Sequence, residues 1–265
     1  EALNRSHRED EAKRALRKAL ADWPRADLMA ETARHYGPYW QGLTPETHVV
    51  FARLLRDLPN NEIRIDLKLV ADRDATRACF ALADHPGIFS RLAGALALVG
   101  ANIIDARTYT TKDGYATAEF WIQDSEGKPY EEARLPRLRK MIERTFAGEV
   151  VATEAFKDRD KVKKRERQFR VPTNIVFDNE GSDIYTIIEV DTRDRPGLLY
   201  DLTRTLAANN IYIASAVIAT FGVQVVDSFY VKDMFGLKLH AKSRQDSLDR
   251  KLRAAIEAGE QRAQG

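Results

Sequence analysis

The sequence predicts an α+β protein built from two tandem copies of one small domain. Each copy carries a four-stranded antiparallel sheet and two helices, and a short all-helical segment precedes the pair. Three observations carry this reading. First, the skeleton Asp-x-Pro-Gly followed by two large apolar residues occurs twice, starting at Asp84 and Asp194, 110 positions apart. Second, from Asp84 to Thr110, 9 of 27 positions are identical at that offset. Third, both skeletons sit in the same order of runs: strand, strand, helix, strand, strand, helix. Internal repetition on this scale means two copies of one unit. Two helices covering one face of a sheet make a two-layer sandwich.

Residues 1–59 read as helical. Ala12, Leu16, Ala19 and Leu20 recur at helical spacing among charges. Asp27 is the expected cap of a short helix running through Glu31 and Arg34, with Gly37-Pro38 ending it. A third helix starts with Thr44 as N-cap and Pro45 at the first helical position, and presents Val50, Leu54 and Leu58. Pro59 and Asn60-Asn61 stop it.

The pattern changes at residue 62. "EIRIDLKLV" alternates with period two, placing Ile63, Ile65, Leu67 and Leu69 on one face of a half-buried strand. "TRACFALAD" returns as a second strand and holds the only cysteine, Cys79, read as a small buried apolar residue. After the Asp-His-Pro-Gly turn, Ile88, Leu92, Ala95, Leu96 and Val99 mark a helix. Gly100 stands where a left-handed residue closes it. "NIIDARTYTT" and "ATAEFWIQD" pair across an Asp-Gly hairpin signal. Leu135, Leu138, Ile142 and Phe146 mark the second helix.

The second copy replays this order. "TNIVFDN" and "DIYTIIEVDT" flank a turn at Glu180-Gly181-Ser182. A helix follows on Leu198, Leu199, Leu202 and Leu206, with Asn210 in the place of Gly100. "IYIASAVIAT" and "QVVDSFYVKD" form a hairpin across Phe221-Gly222, and Leu248, Leu252, Ala255 and Ile256 mark the closing helix. Past the hairpin the offset becomes 109, so that Phe120 matches Phe229 and Asp124 matches Asp233. The expected boundaries are 1–59 for the helical segment, 62–150 and 171–260 for the two copies, and 151–170 for a charged spacer. Its stretch "KDRDKVKKRERQ" has seven basic and three acidic residues, a local charge of +4. With no aromatic residue interleaved, it reads as a solvated linker and not a nucleic-acid patch. Each copy is small for an independent domain, so the two are expected to pack on each other.

Composition narrows the function classes. Basic and acidic residues nearly cancel, 42 against 40, which argues against a nucleic-acid coat and against an acidic tail. One cysteine excludes an internal disulfide. The charged start does not resemble a signal peptide, and no apolar run approaches the roughly 18 residues that span a bilayer. The chain is therefore expected to be cytoplasmic. It opens on Glu inside a helix-like run, which suggests a piece of something longer.

The repeated turn has a chemistry. Proline fixes a dihedral and glycine opens a backbone path that brings a ligand close. The following helix start offers amides and partial positive charge, where a carboxylate binds. The preceding Asp can accept from an ammonium group. Together these suit a free amino acid. The alternative is structural, with Asp84 and Asp194 as helix N-caps and Pro-Gly as a tight corner, and the two readings are compatible. The candidate ligand residues are Asp84, His85, Pro86, Gly87, Ile88 and Phe89 in the first copy, and Asp194, Arg195, Pro196, Gly197, Leu198 and Leu199 in the second. Arg195 is expected to add charge near the bound carboxylate, which favours the second loop.

"DHPGIFSRLAGALALVGANIIDARTYTT" and "DRPGLLYDLTRTLAANNIYIASAVIAT" resemble ACT domains, small ferredoxin-like amino-acid-sensing modules, although here a leading strand replaces the usual final one. With "HYGPYWQGLTPETHVVFARLL" upstream, nearly the whole chain resembles the C-terminal part of the bacterial bifunctional uridylyltransferase/uridylyl-removing enzymes. The resemblance implies a regulatory region that senses glutamine. It also implies the PII signalling protein as partner of the parent enzyme, and magnesium or manganese in catalytic domains lying elsewhere. Self-association through the ACT domains is a further expectation. The alternative is an interaction module without a small ligand, serving dimerisation or PII docking.

Catalytic traces of that family are missing. Gly181-Ser182 followed by Glu189-Val190-Asp191 imitates a nucleotidyltransferase signature, but it falls in a strand hairpin. There is no His-Asp dipeptide, and His7, His35, His48, His85 and His240 are scattered without metal-ligand spacing. No phosphate loop or nucleophile elbow appears. The chain itself is expected to hold no metal or cofactor and to catalyse nothing.

Overall fold

The computed structural model describes residues 2–148 and 171–264, and the charged stretch 157–168 lies outside them. The chain is α+β, with two four-stranded antiparallel sheets, as its pattern predicts. Two compact units divide it. One comprises residues 1–66, 78–84 and 107–119; the other comprises 67–77, 85–106 and 120–265. The division crosses the first repeat because the ends of its strands share a core with the helical segment.

That segment is four helices: α1 (Ala2–Ala19), α2 (Arg25–Ala33), α3 (Gly37–Gly42) and α4 (Pro45–Leu55). Thr44 caps α4 as expected, its side chain accepting from the Thr47 amide at 3.3 Å. The two preceding helices differ from expectation. Asp27 lies in the first turn of α2 and does not cap it; the cap is Pro24. Gly37-Pro38 begins α3 and does not merely end α2, since proline suits a helix start, where its missing donor costs nothing. Leu16, Leu20, Tyr39, Trp40, Phe51 and Leu55 bury together with Cys79, Ala81 and Tyr109 of the strands. Packing there is close enough that a Cβ on Gly42 would collide with the Tyr109 hydroxyl. Thr47 Oγ1 donates to Glu119 Oε2 at 2.8 Å, and Arg34 pairs with Asp113 at 2.8 Å. His35 Nε2 lies 2.6 Å from Glu31 Oε2, and His48 Nε2 lies 3.0 Å from the Tyr39 carbonyl.

The first sheet has strands β1 (Ile63–Val70), β2 (Ala75–Ala83), β3 (Asn102–Thr110) and β4 (Tyr115–Gln123), in the order β1-β2-β4-β3. Helix α5 (Ile88–Leu98) crosses between β2 and β3, and α6 (Leu135–Phe146) follows β4. The second sheet repeats the order with β5 (Asn174–Asp178), β6 (Thr186–Arg193), β7 (Tyr212–Phe221) and β8 (Gln224–Lys232), paired β5-β6-β8-β7 and antiparallel throughout. Helix α7 (Leu198–Ala208) makes the equivalent crossover, and α8 (Lys242–Gln264) closes the chain. Gly100 and Asn210 end α5 and α7 at φ of 86° and 59°, the left-handed conformation expected of both.

On β6 and β8 burial alternates residue by residue. Ile188, Val190, Val225, Phe229 and Val231 are buried, together with Leu198, Leu202, Leu206, Leu248, Leu252 and Ile256 from the helices. The two copies meet within the second compact unit, where α5 packs against α7, and α7 packs in turn against α8 of its own copy.

Candidate functional site

Each Asp-x-Pro-Gly stretch forms one turn. The Ile88 amide donates to the His85 carbonyl at 3.2 Å, and the Leu198 amide to the Arg195 carbonyl at 3.3 Å. Gly87 (φ 81°, ψ 3°) and Gly197 (φ 80°, ψ −6°) hold the third position. Proline second and a left-handed glycine third is a type II turn. It delivers the chain into α5 and α7 with glycine as N-cap and no side-chain cap bond at either helix. The expected capping role of Asp84 and Asp194 is therefore not observed. Their backbone amides instead tie the turn to the neighbouring hairpin, donating to the Gly114 and Val223 carbonyls at 2.9 and 2.8 Å.

The side chains of the candidate residues divide into three sorts. Ile88, Phe89, Leu198 and Leu199 are buried; Phe89 stacks on Phe120 with ring centroids 5.4 Å apart. These anchor the loops, and the amides of Ile88 and Leu198 are already engaged in closing the turns. His85 and Pro86 are exposed, with His85 Nδ1 3.1 Å from the Pro86 carbonyl. Arg195 is buried, and its guanidinium donates to Asp201 Oδ2 at 2.6 Å and to the Pro196 carbonyl at 3.2 Å. Arg262 reaches the same Asp201 oxygen at 2.8 Å. The positive charge expected of Arg195 is thus met by a carboxylate of α7.

Each loop abuts the other copy. A Cβ on Gly87 would stand 4.0 Å from the Cβ of Ala207, near the end of α7. Ala97, the matching residue of α5, lines a small cavity against Asp194–Tyr200. Ala93 and Asp227 line it as well. Its volume is about 30 Å³, room for roughly one water. A wider groove of about 920 Å³ shares Ala97, Ala101, Asn102, Asp194, Arg195 and Pro196 with it, and extends along Asp124, Tyr130, Arg134 and Arg137. Arg134 donates to Asp124 at 2.9 Å, which holds that carboxyl below its ordinary range despite opposing desolvation. The edge strands approach nearby, where Thr220 Oγ1 donates to the Ile104 carbonyl at 3.4 Å.

Asp227 was not singled out from the sequence. It pairs with Val190 and Ile218 in the middle of the second sheet and is 1% exposed. Its Oδ1 has no hydrogen-bond partner among the described residues. Burial pushes its carboxyl well above the ordinary carboxylate range, and the charge of Asp194 adds to the effect. A signal was available: in "VVDSFYV" the acid falls in phase with Val225, Phe229 and Val231, the buried face. At the hairpin offset of 109 the first copy holds Ala118.

The imitation nucleotidyltransferase signature is a turn. Ser182 Oγ accepts from the amides of Ile184 and Tyr185, and Asp191 accepts from Gln224 at 2.5 Å. Among the described residues no three His, Cys, Asp or Glu side chains gather as a metal ion requires. No described helix is long and apolar enough to cross a membrane.

The ACR9-like, ACT-like domain family matches residues 174–259. The bifunctional uridylyltransferase/uridylyl-removing enzyme of Cereibacter sphaeroides is 77% identical over 99% of this chain and 28% of its own length. That of Ruegeria pomeroyi is 68% identical over 99% of this chain and 29% of its own. That of Rhodospirillum rubrum is 38% identical over 91% and 26%. The chain thus spans little more than a quarter of the curated relatives it matches. This identity along nearly all its residues, with the ACT-like match, shows that the chain belongs to the family of the bifunctional uridylyltransferase/uridylyl-removing enzymes and carries an ACT-like part of it.

Proposed function

We propose that this chain is the regulatory, glutamine-sensing region of a cytoplasmic uridylyltransferase/uridylyl-removing enzyme that acts on the PII signalling protein. In this reading residues 62–150 and 171–260 are the two sensing domains, 151–170 joins them, and 1–59 leads in from catalytic domains elsewhere in the enzyme. The ligand binds at the strand-to-helix loops, formed by Asp84, His85, Pro86, Gly87, Ile88 and Phe89 and by Asp194, Arg195, Pro196, Gly197, Leu198 and Leu199. The observation that carries the reading is the second loop. There an uncapped helix start, a left-handed glycine and a buried acid with an unpartnered oxygen line one cavity walled by the other copy. Amides suit the carboxylate of an amino acid, and acids suit its ammonium group.

Calorimetric titration of the chain with glutamine, and with glutamate as control, tests it. Saturable binding of glutamine with much weaker binding of glutamate is the expected result. A ligand at 100 times its dissociation constant adds about 2.7 kcal/mol of stability, readable as a melting shift. One observation favours a second reading, an interaction module without a small ligand: the enclosed space at the second loop is only about 30 Å³. No heat and no melting shift with either amino acid would favour that module.

A further inference from the structure

The cavity at the second loop is lined by more acids than bases. Two acids line it, Asp194 and Asp227, and the only basic residue lining it is Arg195, whose guanidinium is turned to Asp201. The titratable residues lining it are these three and Tyr200; α5 contributes Ala93 and Ala97. Asp227 is 1% exposed and one of its oxygens accepts no hydrogen bond from the described residues, an arrangement that is costly unless water or a ligand supplies the partner. Such a group is held at a cost when it has a partner to receive. A cation arriving beside two carboxyls supplies that partner, while the first turn of α7 faces the opposite charge. The first copy has Ala118 at the matching position and lacks the second acid.

We propose that Asp227 is a specificity-determining residue of the second loop: its carboxyl, beside Asp194, receives the ammonium group of an amino-acid ligand. This rests on the proposed function above. It makes the two loops unequal, with the second reading the amino group and the first, lacking the acid, reading little beyond a carboxylate.

The test compares glutamine with glutaramate, the same molecule without its amino group, by calorimetry on the complete chain. Binding is measured for the parent, for Asp227→Asn and for Asp227→Ala. The alanine variant reproduces what the first copy carries at this place, so the strand has a precedent for it. In the parent, glutamine is expected to bind at least about tenfold more tightly than glutaramate, the scale of one charge-assisted hydrogen bond. Both variants should close that gap by weakening glutamine alone, and both should melt at or above the parent temperature. A structural role would instead lower the melting temperature and leave the ratio of the two ligands unchanged. If the parent binds neither compound, the glutamine-sensing reading itself fails. If the parent binds glutamine and either folded variant keeps the full ratio, the assignment of Asp227 is overturned while the sensing function stands.

Discussion

Gly94 lies in the middle of α5, where glycine costs about 1 kcal/mol relative to alanine. A Cβ there would stand 2.8 Å from Cδ2 and 3.0 Å from Cε2 of Tyr200, on the helix of the other copy. Carbon atoms settle near 3.5–4.0 Å, so the ring or the helix has to move by several tenths of an ångström. Forcing an extra methyl group into a packed interface costs about 1–3 kcal/mol. Against the propensity gain, Gly94→Ala should therefore destabilise by about 0–2 kcal/mol, a melting decrease of up to several degrees for a chain of this size. Gly94→Val adds bulk that Tyr200 cannot yield to and should cost more. The decisive assay is a double-mutant cycle read by urea denaturation. In a Tyr200→Ala background the clash is gone, and Gly94→Ala should become stabilising by about 1 kcal/mol. The coupling between the two sites should reach about 1–3 kcal/mol. If Gly94→Ala stabilises equally in both backgrounds, α5 and α7 do not press together in solution and the walled cavity loses its basis.

Acid should weaken the helical segment. Burial lowers the pKa of His48 from 6.5 to about 4, although the Tyr39 carbonyl opposes the shift, and His35 moves the same way. A histidine depressed in the folded state leaves the unfolded chain to bind protons first, so its stability is intact above pH 6.5 and lost as the pH falls toward 4. For His48 that gap corresponds to about 3 kcal/mol. Urea midpoints at pH 7.5 and 4.5 should show the fall, and a His48→Gln chain should show a smaller one. Gly197→Val puts a branched side chain at φ 80°, where a side chain costs about 1–2 kcal/mol and crowds the ligand approach. It should abolish the glutamine melting shift, whereas Gly87→Val should keep most of it; the reverse outcome would assign sensing to the first loop. The chain incubated with PII, UTP and magnesium, or with uridylylated PII and manganese, should show no turnover; activity proportional to its concentration would refute this.

Local chemistry was legible because it acts within a few residues. Thr44-Pro45 marks a helix start, and Gly100 and Asn210 mark helix ends, on backbone grounds alone. The strand count of each copy followed from the repeat, whereas the order of the strands in each sheet is a non-local pairing that no local pattern sets. The role of Asp84 and Asp194 was only half legible. A short polar side chain before a helix satisfies the pattern of a cap, but two intervening residues and a type II turn hand that position to glycine. The pairing of Arg195 was hidden for a different reason. Its charge is evident in the sequence, but the direction of its long side chain is set by Asp201, six residues further on, whose carboxylate it shares with Arg262. The face on which α5 meets α7 is a tertiary fact that periodicity cannot supply, since both helices must also cover their own sheets. Asp227 lies between these cases: its phase was readable, but its missing partner was not.

The reciprocal seating of Gly87 against Ala207 and of Ala97 against the second loop gives the tandem a thermodynamic property that neither copy has alone. Each loop leans on a helix of the other copy. Were both loops to take a ligand, any factor by which the first changed the affinity of the second would be returned unchanged. A chain divided between the copies would leave each half with a turn of the right shape and no wall opposite it. The crossing would then have nothing to transmit.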